Sequence, residues 1–246
     1  MIAIKRLSYM LIASITFTSC LSGNEDSESL ISGTQGTVTS SDGTAVATTE
    51  NKASADYGYD EVCVPTADDN ISNYTFSSTC EIVFSETGAT VSNLPDSVAV
   101  TSNQSGNLVI TSHTSKNINY KLLGSGSGSL KVYSDHLFKL EMAGVTLSSS
   151  SGPAINLQSK KRAFIVADEG TVNTFTDSST YPTSNEDQKG TIFSEGQMVF
   201  CGSGSIKVTG KSKHAICTDQ YMVMDDGTLT IPSAASDGIH VDSRFI

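Results

Sequence analysis

The decapeptide GTIFSEGQMV at residues 190–199 returns twice before the end of the chain, as HAICTDQYMV at 214–223 and as DGIHVDSRFI at 237–246. Laid over one another, the three phrases align Ile192 with Ile216 and Ile239, and Met198 with Met222 and Phe245; the isoleucines are 24 and 23 residues apart. A partial copy, PAINLQSKKR at 153–162, places Ile155 in the same column, 37 residues before Ile192. The polar stretch DSSTYPTSNEDQK at 177–189 accounts for the extra length. A second phrase interleaves with the first: GSLKV at 128–132, GSIKV at 204–208 and GTLTI at 227–231. Each is a turn glycine followed by a short strand of period two. GVTL at 144–147 and GTVNTF at 170–175 are weaker relatives.

Two short strands per unit at this period do not fit a sandwich with turns every 8–12 residues, as in roughly regular hairpin proteins. They fit a chain in which each turn stacks on the last. The expected fold is therefore all-β, a single-stranded right-handed parallel β-helix (solenoid), with equivalent residues in ladders about 4.8 Å apart. A leucine-rich or hexapeptide solenoid is disfavoured, since neither an L-x-x-L-x-L pattern nor a strict six-residue period is present. Charged residues make up 17% of the chain and aromatics 7%, Trp is absent, and no segment keeps a helical apolar period over three turns.

The first twenty residues read as a separate segment. Lys5 and Arg6 precede the apolar run LSYMLIASITF, and FTSC at 17–20 resembles a bacterial lipobox. Residues 1–20 are expected to be a lipoprotein signal peptide, with Cys20 lipidated and the protein anchored at the outer membrane or cell surface. The acidic NEDSE at 24–28 resembles the export signal of Bacteroidetes surface lipoproteins. Residues 21–56, polar and without periodicity, are expected to be a disordered tether, and 57–246 the folded domain. Loss of Lys5 and Arg6 takes the net charge from −11 to −13. Such a surface repels nucleic acid, which is excluded as a partner, and offers the hard oxygen ligands that Ca2+ takes. Of the remaining cysteines, Cys63 and Cys80 are placed to staple the start of the domain, while Cys201 and Cys217 read as buried small hydrophobes; their disulfide state stays open. No Cys/His spacing of the zinc type occurs.

The alignment also puts Glu195, Asp219 and Asp242 in one column, three residues after the column isoleucine. Like charges one rung apart repel by about 1 kcal/mol in water, which open solvent or a bound cation relieves. Asp237, two residues before its isoleucine, and the pair Asp225 and Asp226 are further ligand candidates. The alternative is that Asp occupies these places because it tolerates turn geometry.

The phrases AINLQ, GTVNTFTDSSTY, TIFSEGQMVFCGSGSIKVTG, HAICTDQYMVMDDGTLTI and SDGIHVDS resemble the calcium-binding, carbohydrate-binding β-helix domains of bacterial surface and secreted proteins, from about Cys80 to the end. The resemblance implies a polysaccharide-lyase-like fold, Ca2+ as cofactor, and acidic (pectate-like) plant polysaccharide or cellulose as partner. Asn173 and Asp177 match an N-x-x-x-D motif of that family. Asp219 and Asp242 match the first Asp of its K-D-D, Glu195 stands in for that Asp, and Asp237 matches its D-G-I. The metal set so implied is Glu195, Asp219, Asp237, Asp242 and Asp177. The second Asp of K-D-D is replaced by Gly196, Gln220 and Ser243, and the Lys by Ser194, Thr218 and Val241.

Three functions remain in play. The first is a non-catalytic module that binds acidic or other polysaccharide through Ca2+. The second is a uronate lyase, which needs a basic residue to abstract a proton; Arg244 beside the acidic column is the candidate, with Lys160, Lys161, Arg162 and Lys213 as solvated alternatives. The third is a structural or adhesive surface protein without a glycan. His214 and His240 suit proton carriage or a sugar contact. Tyr120, Tyr133, Tyr181 and Tyr221 are the tyrosines able to stack on sugar, and no particular carbohydrate-binding residue is assigned. DGIHVDSRFI opens a repeat whose second strand does not follow, so the domain is expected to be incomplete at its C-terminus.

Overall fold

The computed structural model describes residues 36–39, 45–48, 64–102 and 106–246. The leader, Cys20, most of the tether and Cys63 lie outside the described residues. The chain divides into two units, Met1–Ser54 and Ala55–Ile246. In the first, β1 (Gly36–Thr39) and β2 (Ala45–Thr48) pair as an antiparallel hairpin.

The second unit is all-β. Its early strands are β3 (Ser78–Ser85), β4 (Gly88–Ser92), β5 (Val98–Ser102), β6 (Asn107–Ser112), β7 (Ile118–Gly126) and β8 (Ser129–Ser134). The later strands recur in threes: β9 (Phe138–Met142), β10 (Thr146–Ser148) and β11 (Ile155–Leu157), then β12 (Ala163–Ala167), β13 (Val172–Thr176) and β14 (Gly190–Ser194). They continue as β15 (Met198–Cys201), β16 (Ser205–Thr209) and β17 (His214–Thr218), and end as β18 (Met222–Met224), β19 (Thr228–Ser233) and β20 (Ile239–Val241). From β9 to β17 each strand pairs in parallel with the strand three further on.

The expected single-stranded right-handed parallel β-helix is corrected by the sheet order. The strands form an 11-stranded sheet and a separate 7-stranded mixed sheet. The first curls into half a barrel at β7, whose first half pairs with β9 and whose end pairs with β10. Antiparallel pairs, β4 on β3 and β5 on β6, interrupt the parallel order at the N-terminal end. The two-strand unit also fails. GTIFSEGQMV reads as one phrase but contains a corner at residues 195–197, with β14 in one sheet and β15 in the other. Repeat length reports how much chain separates equivalent rungs, not how often that chain bends.

The rungs themselves follow the alignment. Ile155 pairs with Ile192, Ile192 with Ile216 and Ile216 with Ile239. Met198 pairs with Met222, which bridges to Phe245. GSLKV at 128–132 belongs elsewhere, Leu130 pairing with Ile155; GSIKV lies between GTVNTF and GTLTI, with GVTL one strand beyond GTVNTF. Alternation places one face of each strand inside, as in Phe138, Leu140 and Met142, and the inner faces of both sheets share one apolar core. Each fully buried isoleucine contributes about 1.5–3 kcal/mol. A second cluster lies on the outer face of β12, β15 and β18, where Phe164, Val199, Tyr221 and Val223 are covered by Ile71, Tyr74 and Phe76. Two short 3-10 turns, Ala67–Asp69 and Ile71–Asn73, carry this covering segment.

Two glycines are set by close approach. A Cβ on Gly196 would stand 2.4 Å from the Lys161 carbonyl and 2.8 Å from that of Ser159. No aspartate fits there, which explains the missing second acid of that repeat. Gly227 has φ +92°, and a Cβ would meet the Gly202 carbonyl at 2.5 Å. Stacked turns at this place need a residue free of the left-handed penalty.

Candidate functional site

Glu195, Asp219 and Asp242 each follow the last residue of a strand in the 7-stranded sheet, and those last residues, Ser194, Thr218 and Val241, are paired. The backbone repeats with them: each acidic N–H donates to the carbonyl closing the preceding repeat, from Glu195 to Leu157, Asp219 to Ser194 and Asp242 to Thr218. Buried hydroxyls hold the first two corners. Ser194 Oγ accepts from Gly196 N at 3.1 Å and Thr218 Oγ1 from Gln220 N at 3.2 Å. The hydroxyl stays inside and the acid turns outward. By the same register the row continues upstream through Gln158 to Tyr133. Tyr133, Gln158, Glu195, Asp219 and Asp242 thus lie at successive rungs over about 19 Å, four steps of about 4.8 Å. None of the five is buried.

The 177–189 stretch flanks this row. Its Glu186 accepts from Tyr133 Oη and pairs with Lys131 Nζ at 2.7 Å, and Gln158 Nε2 donates to the Asp187 carbonyl at 2.7 Å. Lys189 Nζ lies 2.6 Å from Asp219 and 3.0 Å from Asp187, neutralising the middle of the column. Burial works against the Lys189 charge, but the two carboxylates outweigh it and hold the ammonium above the usual lysine range.

The remaining acids go elsewhere. Asp177 is fully buried: one oxygen accepts from Lys211 N at 2.6 Å, the other from Tyr181 Oη at 2.7 Å and Ser212 N at 3.3 Å. Asn173, its motif partner, is equally buried and accepts from the amides of Gly144 and Val145. This pair shapes backbone. Asp237 faces two histidines: its Oδ2 is 3.2 Å from His214 Nδ1 and 3.3 Å from His240 Nδ1. The two rings stack at 4.5 Å with 20° between planes, and His240 Nε2 lies 3.4 Å from Asp242. Burial, then the facing His240, push the His214 imidazole below its ordinary value. The alignment held this juxtaposition, since His214 and Asp237 open consecutive phrases; reading the columns only at their apolar and acidic positions missed it.

Arg244 lies with its guanidinium over the Tyr221 ring at 4.5 Å. Arg162 Nε pairs with the buried Asp69 at 3.2 Å, and its Nη2 donates to Tyr221 Oη at 2.7 Å. Tyr221 Oη in turn donates to Asp69 at 2.7 Å. These arginines fasten the covering segment and the last repeat. Lys213 Nζ is bonded to the Gln188 carbonyl at 2.7 Å. Of the four tyrosines, Tyr120 and Tyr221 are buried, leaving Tyr133 and Tyr181 half-buried beside the row. Cys201 and Cys217 are buried free thiols, in keeping with their reading as small hydrophobes, and Cys80 is a third; its expected partner Cys63 lies outside the described residues.

The 7-stranded sheet therefore presents a polar row along the C-terminal ends of its strands, with acids at one end and an amide and a phenol at the other. No curated protein matches the chain. Among solved structures, a polysaccharide lyase-like protein from C. thermocellum, in a gadolinium derivative, is similar at TM-score 0.54 and 21% identity, over 62% of this chain and 61% of that one. The chain thus spans about three-fifths of that structure's length, and the likeness is one of fold. The family model described as carbohydrate-binding domain-containing protein matches residues 103–246, more than half the sequence. The chain belongs to that carbohydrate-binding domain family.

Proposed function

We propose that the domain is a non-catalytic module that holds an extended acidic polysaccharide along the Tyr133–Asp242 row, with Ca2+ bridging the column carboxylates to the uronates of the glycan. The observation that carries this reading is the row itself: five accessible polar side chains at consecutive rungs, three of them carboxylates. Adjacent carboxylates of Glu195, Asp219 and Asp242, one rung apart, would hold Ca2+ in pairs, since the outer two are two rungs apart. Their donors are hard oxygens, and calcium accepts the loose geometry of a ladder. Tyr133 and Gln158 would meet sugar hydroxyls farther along. Asp177, with both oxygens engaged, is left out of the ligand set. Lys189 competes for Asp219 and sets how much calcium the column takes up. Lipidation of Cys20 would display the module at the outer membrane or cell surface.

The reading is tested by retention on immobilised polygalacturonate, with calcium and with chelator, against a neutral glycan such as cellulose. Calcium-dependent retention that weakens in Asp219→Asn and strengthens at low calcium in Lys189→Gln is expected. Equal retention in EDTA, or equal retention on cellulose, would refute calcium bridging to an acidic glycan.

A further inference from the structure

The cluster at the end of the 7-stranded sheet has a different chemistry from the carboxylate row. We propose that His214, Asp237 and His240 form a binding site for a borderline divalent transition ion of the Zn2+ class. The fold builds the cluster from two adjacent repeats. His214 opens β17; the Ala215 amide bonds the Asp237 carbonyl, so His214 and Asp237 occupy neighbouring rungs. His240, in β20, is paired with Cys217 and brings its ring back over that of His214.

The spacing suits a small tetrahedral ion. Bonds of about 2.0–2.1 Å at tetrahedral angles put neighbouring donors about 3.3 Å apart. Asp237 Oδ2 stands 3.2 Å from one imidazole nitrogen and 3.3 Å from the other, and all three donors fall within 4.8 Å. Both nitrogens are Nδ1, which leaves each Nε2 for an outer partner. For His240 that partner is in place: Asp242 Oδ1 at 3.4 Å, the arrangement in which a carboxylate orients a ligating histidine. For His214, Nδ1 accepts the Asp237 amide at 3.2 Å; the ion takes this lone pair, and the amide, at an exposed residue, turns to water. Lys213 directs its ammonium to the Gln188 carbonyl and over the Tyr181 ring, and with Lys189 it is a cation whose field reaches His214.

Two imidazoles and one carboxylate select against calcium, which takes oxygen, and the tetrahedral spacing favours Zn2+ over the tetragonal Ni2+ and Cu2+. Three protein ligands leave one position open to water or to a hydroxyl of a bound sugar. Cys/His spacing along the chain gives no sign of such a site because its ligands come from different repeats.

The test is calorimetric titration of the full chain with Zn2+ in the presence of excess Ca2+, with Co2+ absorption as a second readout of coordination. One saturable ion per chain is expected, undisplaced by calcium, with a tetrahedral Co2+ spectrum free of thiolate bands. His240→Ala and Asp237→Asn should each weaken binding by about 10-fold or more, and Asp242→Asn by about 10-fold as the orienting partner. His240 and Asp237 are partly exposed, so metal-free melting of these variants should match the parent; His240→Gln substitutes if His240→Ala melts early. Absence of saturable Zn2+ binding, or binding equal to the parent in both ligand variants, would overturn the site. Retention on polygalacturonate is measured separately, so failure here leaves the glycan reading standing or falling on its own result.

Discussion

Replacing Asp177 with Ala removes a carboxylate that accepts three hydrogen bonds inside the protein, from the Lys211 and Ser212 amides and the Tyr181 hydroxyl. Bonds to a charged acceptor contribute about 1.5–3 kcal/mol each, and a buried donor left without a partner costs about 1–3 kcal/mol. Ser212 N, at 3.3 Å, contributes least. Its share is small and the three are coupled, so the expected loss is about 3–5 kcal/mol. That is a fifth or more of the stability of an ordinary domain of about 5–15 kcal/mol. Asp177→Asn keeps an acceptor but not the charge, and should lose about 1–2 kcal/mol. The assay is equilibrium urea denaturation followed by circular dichroism, run in calcium and in EDTA, with the midpoint compared at constant m. Both variants should lose stability equally in the two buffers. A loss below about 1 kcal/mol for Asp177→Ala would refute the role assigned to these bonds. A loss confined to the calcium buffer would return Asp177 to the metal ligands.

Glu141 gives a pH dependence. Burial raises its pKa, but Lys121, Lys139 and Asn119 outweigh burial and bring the carboxyl down from 4.5 to about 2. A carboxylate depressed in the folded state stabilises fully above its unfolded value, and that contribution fades as pH falls from about 4.5 toward 2. Its full size is about 3 kcal/mol. Glu141→Gln should flatten the acid limb of stability against pH; an unchanged acid limb would contradict this. The thiols give a third expectation. Burial pushes Cys80 and Cys201 up to about 11 and Cys217 up to about 12, so an aromatic disulfide reagent should label them only on unfolding. Fast labelling of the native protein at neutral pH would show that the strands over them open readily.

The isoleucine column was legible because a strand rung ties sequence spacing directly to contact: Ile192, Ile216 and Ile239 pair as their alignment says. The outward turn of Glu195, Asp219 and Asp242 was legible for the same reason. Strand number was not, because the corner after Ser194 is made by one buried hydroxyl and a glycine, too weak a signature against the apolar period. The hairpins at β3–β4 and β5–β6 carry no repeat and so left no mark in it. Asp177 entered the ligand set through its match to the N-x-x-x-D motif, and a buried acid and a metal-binding acid look alike in one dimension. What separates them is the pair of amides at Lys211 and Ser212, more than thirty residues away.

The clasp of Asp69, Arg162 and Tyr221 has a mechanical consequence. It joins the start of the second unit to β12 and to the corner before β18, with Tyr221 lying 152 residues from Asp69. A pull on the chain ahead of Val64 is therefore not delivered first to β3. It enters through the covering segment and is shared across the outer faces of β12, β15 and β18. Those contacts must slide together before any one of them yields, whereas a load applied to β3 alone would unzip its pairing with β7 rung by rung. Were the chain anchored ahead of Val64 while holding a polymer, that is the direction in which drag would act.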